Sequence, residues 1–425
     1  MMSTSIPRQR WSHVIPIAFI MYTIAFMDRI NVGMALPSMA KDLHFSPTIG
    51  GTVFGIFFIG YLVLQIPGGH LAEKWSAKKF ILTLLIIWGV FAIITGFVQN
   101  VTELLIARFF LGVAEGGVWP ATLIFLSHWF PRDERARANN LWMLCLPVAA
   151  VVVSPLSGYI LHVSNWHWLF ILEGLPPWLW AILWAIYIKD VPSQARWISP
   201  EERQYIETTV SAERLQRDRP DLGTMRKALT SKEVWLLAVV YFFSVIPGYG
   251  IASFLPSLLK KGGFSTQTAG FITALPFVIA IIGLVVNGWL SDRSLVRRKF
   301  VIIPMLILGV GVVVSAFLES AVGISLVLLI LAGYGLYAYL GPFWALVAQL
   351  LPPETAGGGM GLINAIGNLG GFFGPFIVGA LDTATGSFLT GFLFLGVSAI
   401  AVAILISFVR IREGTAARVE TQQSA

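Results

Sequence analysis

Long apolar stretches follow one another through the sequence of 425 residues and are separated by short polar segments. A bilayer core about 30 Å thick needs about 20 apolar residues per helix, and a helix satisfies its own backbone polar groups. Only 12% of the residues are charged, so a soluble enzyme is excluded. The pattern predicts an all-α membrane protein with twelve transmembrane helices. We number these spans 1 to 12 and expect them near residues 14–36, 50–72, 80–98, 102–127, 138–161, 168–189, 234–259, 267–290, 300–318, 323–350, 357–380 and 387–409.

Lysine and arginine are distributed unequally among the segments between the spans. With the N-terminus inside, the inner loops and termini hold 24 of the 29 basic residues, and the outer loops hold three. Cytoplasmic loops of membrane proteins carry such an excess. The first apolar stretch continues without a signal-peptide cleavage site, so we interpret it as span 1. The sequence thus predicts a multi-pass inner-membrane protein with both termini in the cytoplasm.

The two halves of the chain repeat each other. The segment GHLAEK, which starts at Gly69, corresponds to GWLSDR, which starts at Gly288, at an offset of 219 residues. Two parallel six-helix repeats are typical of secondary transporters that rock around a site at the membrane midplane. We therefore expect an N-terminal bundle at 1–190, a cytoplasmic connector at 191–233 and a C-terminal bundle at 234–425. Ser199 followed by Pro200 predicts a surface helix within the connector.

The repeated segments resemble the signature loop of the major facilitator superfamily, although Glu73 stands where that family usually has Asp. The resemblance extends over essentially the whole chain and implies the twelve-helix fold of that family. A glycine would allow close helix approach, and an acid would complement a helix N-terminus and so latch the outward-facing state. The expected latch residues are Gly69, Glu73, Gly288, Asp292 and Arg293.

Away from their ends, the predicted spans contain five charged residues, each of which would destabilise the protein by several kcal/mol unless paired or hydrated. All five are in the first half of the chain. Arg108 and Glu115 are seven residues apart, which places them on one helix face about 10 Å apart. We expect Asp28 to pair with Arg108, and either a structural hydrogen bond or a functional role for Glu173. The five are Asp28, Arg29, Arg108, Glu115 and Glu173.

The segment MDRIN around Asp28, together with span 4 from Arg108 to Glu115, resembles the anion:cation symporter branch of the superfamily. Members of that branch mostly import organic carboxylates with protons. The resemblance implies that Asp28 and Glu115 bind protons, that Arg108 connects them and that Arg29 holds the substrate carboxylate. Burial favours the neutral form of a carboxyl group, whereas an arginine stays charged, so the physical chemistry agrees.

The same resemblance, carried over by position, assigns Tyr61, Trp344 and Asn364 to the substrate cavity. Each has a structural alternative, since the aromatic side chains could serve packing and the amide could join helices. Leu146 occupies a position where sugar-acid carriers of the branch have glutamine. This apolar wall, with a resemblance of residues 135–139 and 168–176 to the hydroxyphenylacetate and phthalate permeases of the branch, favours an aromatic or small organic acid over a sugar acid, although aldonate and tartrate carriers can also have apolar residues there.

Motifs for other classes of protein are missing from the sequence. No nucleotide-binding loop, zinc-binding H-E-x-x-H or serine nucleophile elbow is present, and Cys145 alone permits neither a disulfide nor a cysteine metal cluster. We expect no enzyme activity, cofactor, metal or nucleic acid. The expected partners are protons, a small organic anion and membrane lipid, for a monomeric protein. The alternatives are an exporter or antiporter of organic anions and a transporter-like receptor that binds its ligand without turnover.

Overall fold

A computed structural model describes residues 8–215, 227–294, 296–318, 321–351 and 353–409. Within these ranges twelve helical spans are long and apolar enough to cross a membrane, and no strand is present, which confirms the predicted fold class. Spans 1 to 6 are Gln9–Asp42, Pro47–Lys74, Ala77–Thr95, Val101–Gly116 with Val118–Trp129, Arg132–Met143 with Cys145–Val163, and Trp166–Glu173 with Pro176–Tyr187. Spans 7 to 12 are Lys232–Lys261, Thr266–Arg293, Lys299–Phe317, Val322–Ala332 with Gly335–Ala338 and Leu340–Leu350, Pro353–Thr385, and Phe388–Ser407.

Side chains from outside the helices cap the beginnings of many spans. Each such side-chain oxygen accepts a hydrogen bond from a backbone N–H in the first turn, which would otherwise have no partner. The capping residues are Ser76, Asn100, Asn165, Ser231, Ser265 and Ser387. These caps explain why the helices begin within a few residues of the predicted boundaries.

Four spans that the sequence predicts as continuous are interrupted in the described part of the chain, and one of them is span 5, which breaks at Leu144. Span 4 breaks at Gly117, and span 6 breaks before Pro176, whose ring removes a backbone donor. Span 10, which the repeat relates to span 4, breaks after Ala332 and again at Tyr339. Hydropathy reports only that these stretches are apolar, so it contains no signal for such breaks.

The chain forms two compact units that do not coincide with the two sequence halves. Unit 1 contains the described residues of 1–31, 56–150 and 163–219, and unit 2 contains those of 32–55, 151–162 and 220–425. Within unit 2, Gly33 lies so close to span 7 that an added Cβ would be 2.1 Å from the carbonyl oxygen of Ala252. The end of span 1 therefore packs in backbone contact with span 7.

Spans 2 and 4 also meet in backbone contact, within unit 1. A Cβ on Gly112 would lie 2.0 Å from the carbonyl oxygen of Phe57, and one on Gly116 would lie 2.1 Å from that of Tyr61. No residue larger than glycine fits at either position without movement of the backbone. This contact places the aromatic side of span 2 directly beside the buried charges of span 4.

Part of the connector is anchored on unit 1. The predicted surface helix spans Pro200–Leu215, and Ser199 caps it through the backbone N–H of Glu202, as expected. Arg10, almost completely buried, forms ion pairs with Glu202 at 2.5 Å and with Glu134 at 2.7 Å. The rest of the predicted connector includes residues 216–226, which lie outside the described residues.

Two polar contacts organise unit 2. The side-chain amide of Asn287 in span 8 donates to the carbonyl oxygens of Phe300 at 2.8 Å and Ala338 at 2.7 Å, and thereby joins spans 8, 9 and 10. Lys261, at the end of span 7, pairs with Asp382 of span 11 at 3.1 Å. The carboxylate of Asp382 is buried, but the lysine side chain is 56% exposed.

Candidate functional site

The five charged residues predicted inside the spans are all described, and none is more than 3% exposed. All belong to unit 1. Because a charge buried without compensation is strongly destabilising, their contacts indicate how the protein holds them. Four of the five, Asp28, Arg29, Arg108 and Glu115, form one cluster between spans 1 and 4.

Arg29 is the centre of the cluster. Its Nε donates to Oε2 of Glu115 at 3.1 Å. Its guanidinium carbon lies 4.5 Å from the centre of the Tyr61 ring and 5.2 Å from that of Phe57, and Nη2 donates to the hydroxyl of Tyr22 at 3.4 Å. Aromatic faces attract a cation without neutralising it. The contacts of the guanidinium thus include the carboxylate of Glu115 and several aromatic rings.

Asp28 and Arg108 do not form the ion pair that the sequence predicts. Arg108 Nη1 instead donates to the backbone oxygen of Asp28 at 3.0 Å. The carboxylate of Asp28 accepts from the indole nitrogen of Trp88 in span 3 at 2.5 Å. Successive helix residues point about 100° apart, so when Arg29 faces Glu115 the side chain of Asp28 turns towards span 3.

Asn31, one helical turn after Asp28, extends the cluster to span 6. Its amide nitrogen donates to Oδ1 of Asp28 at 3.4 Å and to Oε2 of Glu173 at 2.8 Å. Glu173 therefore makes a structural hydrogen bond, which is one of the two roles that the sequence predicts for it. Sequence reasoning missed the contacts of Trp88 and Asn31; their only signal was a polar group inside an apolar span.

Several polar atoms of the cluster make no hydrogen bond in the described part of the protein. They are Nε and Nη2 of Arg108, Oε1 of Glu115 and Oδ1 of Asn31, and all are buried. Buried polar atoms in native proteins nearly always have partners, including water. These atoms can therefore form further hydrogen bonds with a ligand or with water, and Oε1 of Glu115 can also bind a proton.

The wall beside the cluster is apolar and aromatic. Leu146 is 7% exposed, and Cys145 is completely buried at the start of the second helix of span 5. Trp142 packs edge-on against Tyr22, the partner of Arg29, with ring centres 5.0 Å apart. The surface next to Tyr22 is therefore aromatic, and contact of Leu146 with the substrate stays a prediction.

The two remaining predicted substrate residues lie in unit 2. Trp344 is half-buried and packs edge-on against Tyr241, with ring centres 5.2 Å apart. Asn364 accepts hydrogen bonds from the amide of Asn368, at 2.8 Å on its backbone oxygen and 3.3 Å on its side chain. Both have structural partners, so their contact with substrate stays a prediction.

The predicted latch glycines differ in their surroundings. A Cβ on Gly69 would lie 3.5 Å from Pro120, an ordinary contact, and one on Gly288 would have nothing within 4 Å. The close approach occurs one residue earlier, at Gly68, where a Cβ would lie 2.8 Å from the Cα of Gly117. The tight helix contact at this point is therefore made by Gly68, which precedes the repeated segment, and a latching role for Gly69 and Gly288 stays a prediction.

The charged latch residues are at the surface of their units. Glu73 is exposed. Asp292 pairs with Arg297 at 3.7 Å, and the guanidinium of Arg293 lies 3.8 Å from the centre of the Trp289 ring. Both Asp292 and Arg293 thus contact residues close to them in the sequence, and a latching role stays a prediction.

The sequence model that describes the Major Facilitator Superfamily matches the chain twice, over residues 18–375 and over residues 237–425. The chain belongs to the Major Facilitator Superfamily. It is accordingly a membrane transporter and not an enzyme, as the sequence predicts.

Relatives of this facilitator protein cover nearly all of it. It is 34% identical to a protein described as a tartrate transporter of Agrobacterium vitis, over 92% of this chain and 89% of the relative. It is 31% identical to a quinolone resistance transporter of Acinetobacter baumannii, over 90% of both chains. Among solved structures, an inward-facing, unoccupied bacterial homologue of the human lysosomal transporter Spinster has a TM-score of 0.72 at 18% identity, covering 95% of this chain and 96% of the other. That last likeness concerns the fold.

Proposed function

We propose that the protein is a symporter that imports an organic carboxylate together with protons. Membership of the superfamily makes it a transporter, and its similarity to a tartrate transporter supports an organic anion as the substrate. The observation that carries the proposal is the buried contact of 3.1 Å between Arg29 and Glu115. It combines a fixed positive charge with a group that can lose its charge by binding a proton.

Competition for Arg29 couples the binding of the carboxylate to the binding of the proton. A carboxylate from outside would seek the same guanidinium that Glu115 now contacts, and two anions side by side in a buried site repel each other. A proton on Glu115 removes that repulsion and makes the guanidinium available for a bidentate contact with the substrate. Binding of substrate and binding of a proton then favour each other, which is the requirement for symport.

Asp28 supplies a second proton site in the proposal. Trp88 and Asn31 both donate to its carboxylate, and Arg108 contacts its backbone oxygen. Arg108 lies two helical turns from Glu115 on the same span and keeps two nitrogen atoms without partners. We infer that these nitrogen atoms, with water, connect the two acids.

The surroundings of Arg29 favour an aromatic or small organic acid over a sugar acid. Rings of Tyr22, Phe57 and Tyr61 face the guanidinium, and Trp142 packs against Tyr22. The tyrosine hydroxyls and the unpartnered polar atoms of the cluster can bind a few substrate hydroxyl groups, whereas the ring faces favour an apolar body, so a polyol with many hydroxyl groups fits less well. We further propose that the protein functions as a monomer in the inner membrane, with both termini in the cytoplasm.

External pH in lightly buffered, de-energised cells tests the proposal. Aromatic acids, sugar acids and dicarboxylates are added one at a time to cells that contain the protein, and to cells that do not. We expect alkalinisation that depends on the protein with at least one aromatic or small acid. Uptake of a labelled acid without any pH change would refute proton coupling.

Two variants sharpen this test. Glu115→Gln keeps the shape of the side chain but removes the proton site, and we expect it to abolish uphill accumulation. Glu103→Gln is the matched control, because Glu103 is an exposed acid in the first turn of the same span. Accumulation that survives the first change would remove Glu115 from the coupling.

Export of an organic anion is the second candidate function. The similarity to a quinolone resistance transporter is the observation that favours it. An exporter would lower the cellular content of a preloaded acid and raise the quinolone concentration that cells tolerate. Either result, without protein-dependent alkalinisation by any acid, would replace import with export.

A further inference from the structure

We propose that Glu173 is a third member of the proton-coupling set and that Glu173 and Asp28, both hydrogen-bonded to the amide of Asn31, hold one proton between them. This inference rests on the proposed symport and adds to it. The sequence left the role of Glu173 open between a structural hydrogen bond and function, and the geometry of its contact favours function.

The first argument is the distance between the two acids. Asn31 Nδ2 donates at 2.8 Å to Oε2 of Glu173 and at 3.4 Å to Oδ1 of Asp28. Because both hydrogen bonds start from one nitrogen atom, the two carboxylate oxygens are at most about 6 Å apart. Glu173 and Asp28 are 3% and 2% exposed, and Asn31 is completely buried. Two carboxylates this close in a buried site oppose each other's ionisation.

The second argument is the charge balance among the five charged residues buried away from the ends of the spans, since Arg10, at the start of span 1, is already paired with Glu134 and Glu202. Three acids, Asp28, Glu115 and Glu173, stand against two arginines, Arg29 and Arg108. If all five were ionised, the buried set would carry one negative charge in excess, which a low-dielectric interior disfavours strongly. One proton held by the acids removes the excess. Glu115 is in contact with Arg29, so the pair bridged by Asn31 is the place where a resident proton is favoured.

The elements packed against Glu173 bring few other charges. Span 1 contributes Asp28 and Arg29, and span 3 contributes Trp88 as a polar group. The charged residues of span 3, Lys78 and Lys79, are at its far end, more than 20 Å along the axis from the residues next to Gly174. His167, on the same short helix as Glu173, contacts the backbone oxygen of Gly96. Asp28 is therefore an acid that Glu173 influences through Asn31.

Two substitutions should change the pH dependence of uptake in opposite directions. Glu173→Gln removes the second carboxylate, so Asp28 ionises more readily and uptake declines at a lower external pH. For two charges about 6 Å apart at an effective dielectric constant of about 20, we expect the midpoint to fall by about 1–2 pH units. Asn31→Leu removes the donor that stabilises both ionised carboxylates, so the midpoint should rise.

Proteoliposomes that contain the full chain provide the assay. The probe is the organic acid that produces the largest alkalinisation in cells. Uptake driven by a pH gradient is measured at a series of external pH values, and exchange of labelled for unlabelled acid at equal pH is measured in parallel. Exchange moves no net protons, so it reports folding and substrate binding. We expect Glu173→Gln to keep exchange within about twofold of the wild type, and Glu173→Asp to restore the wild-type midpoint. Glu103→Gln is the control for loss of an acid.

The outcomes separate this inference from the proposed function. Wild-type uptake that does not respond to pH would overturn proton symport, and the inference with it. A pH response in the wild type, with an unchanged midpoint in Glu173→Gln, would overturn the inference alone and leave a structural role. Should Glu173→Gln lose exchange as well, Asn31→Leu decides, because a midpoint that stays in place or falls contradicts the shared proton.

Discussion

Gly112→Ala should damage the site without altering any of its charged residues. The added Cβ would lie 2.0 Å from the carbonyl oxygen of Phe57, whereas ordinary contacts begin at 3.4 Å. Spans 2 and 4 would therefore have to separate by about 1.4 Å at this point. Gly112 is one helical turn from Arg108 and one from Glu115, so the displacement would reach both sides of the cluster.

The expected size of the effect follows from the same geometry. Overpacking of this kind destabilises proteins by about 1–3 kcal/mol. A shift larger than 1 Å would also break the 3.1 Å contact between Arg29 and Glu115. In enzymes, misplacement of the reacting groups by about 1 Å can reduce rates about 100-fold. We expect coupled uptake to fall by at least tenfold, together with a lower unfolding temperature in detergent.

Gly248→Ala is the matched control, since it introduces the same methyl group inside span 7, where nothing lies within 4 Å. Alanine favours a helix over glycine by about 1 kcal/mol, so this variant should be at least as stable as the wild type. If Gly112→Ala transports and unfolds like Gly248→Ala, then close packing of spans 2 and 4 does not position the cluster.

Three further predictions concern single polar contacts. Trp88→Phe keeps a ring but removes the hydrogen bond to Asp28, which is worth about 1.5–3 kcal/mol. Proton-driven uptake should therefore fall about tenfold or more, while exchange of labelled for unlabelled acid persists. Equal loss of both activities would contradict this. Arg10→Met leaves two carboxylates without their cation and should lower the free energy of unfolding by about 3–5 kcal/mol, measured by thermal unfolding. Arg8→Met, at an exposed position, is the control and should have little effect. Asp382→Asn should lower stability by less than about 1 kcal/mol, because the partner lysine is 56% exposed; a loss as large as that of Arg10→Met would refute this reasoning.

The fold could be predicted from the sequence because the bilayer imposes a simple rule. Every backbone polar group in lipid must be satisfied within the protein, so about 20 apolar residues can only indicate a spanning helix. The breaks at Gly117 and before Pro176 could not be predicted with the same certainty. Glycine and proline are tolerated within membrane helices, and neighbouring spans decide whether the helix continues.

The members of the buried cluster could also be predicted, but their pairing could not. Charged residues inside apolar spans are conspicuous, and the resemblance to a known branch identified Arg29 and Glu115 together. Whether Arg108 would contact the carboxylate or the backbone of Asp28 depends on the rotation of span 1 relative to spans 3 and 4. That rotation follows from packing at positions such as Gly112, where the sequence records a small residue but not its neighbour.

The buried position of Cys145 makes the natural protein a convenient background for chemical labelling. It is the one cysteine in the sequence, and it is completely inaccessible beside the aromatic wall of the site. A thiol reagent that is excluded from Cys145 will modify an engineered surface cysteine selectively, so spectroscopic probes can be attached without first removing a native thiol. Any condition that makes Cys145 itself react would then report that solvent has reached the interior of span 5.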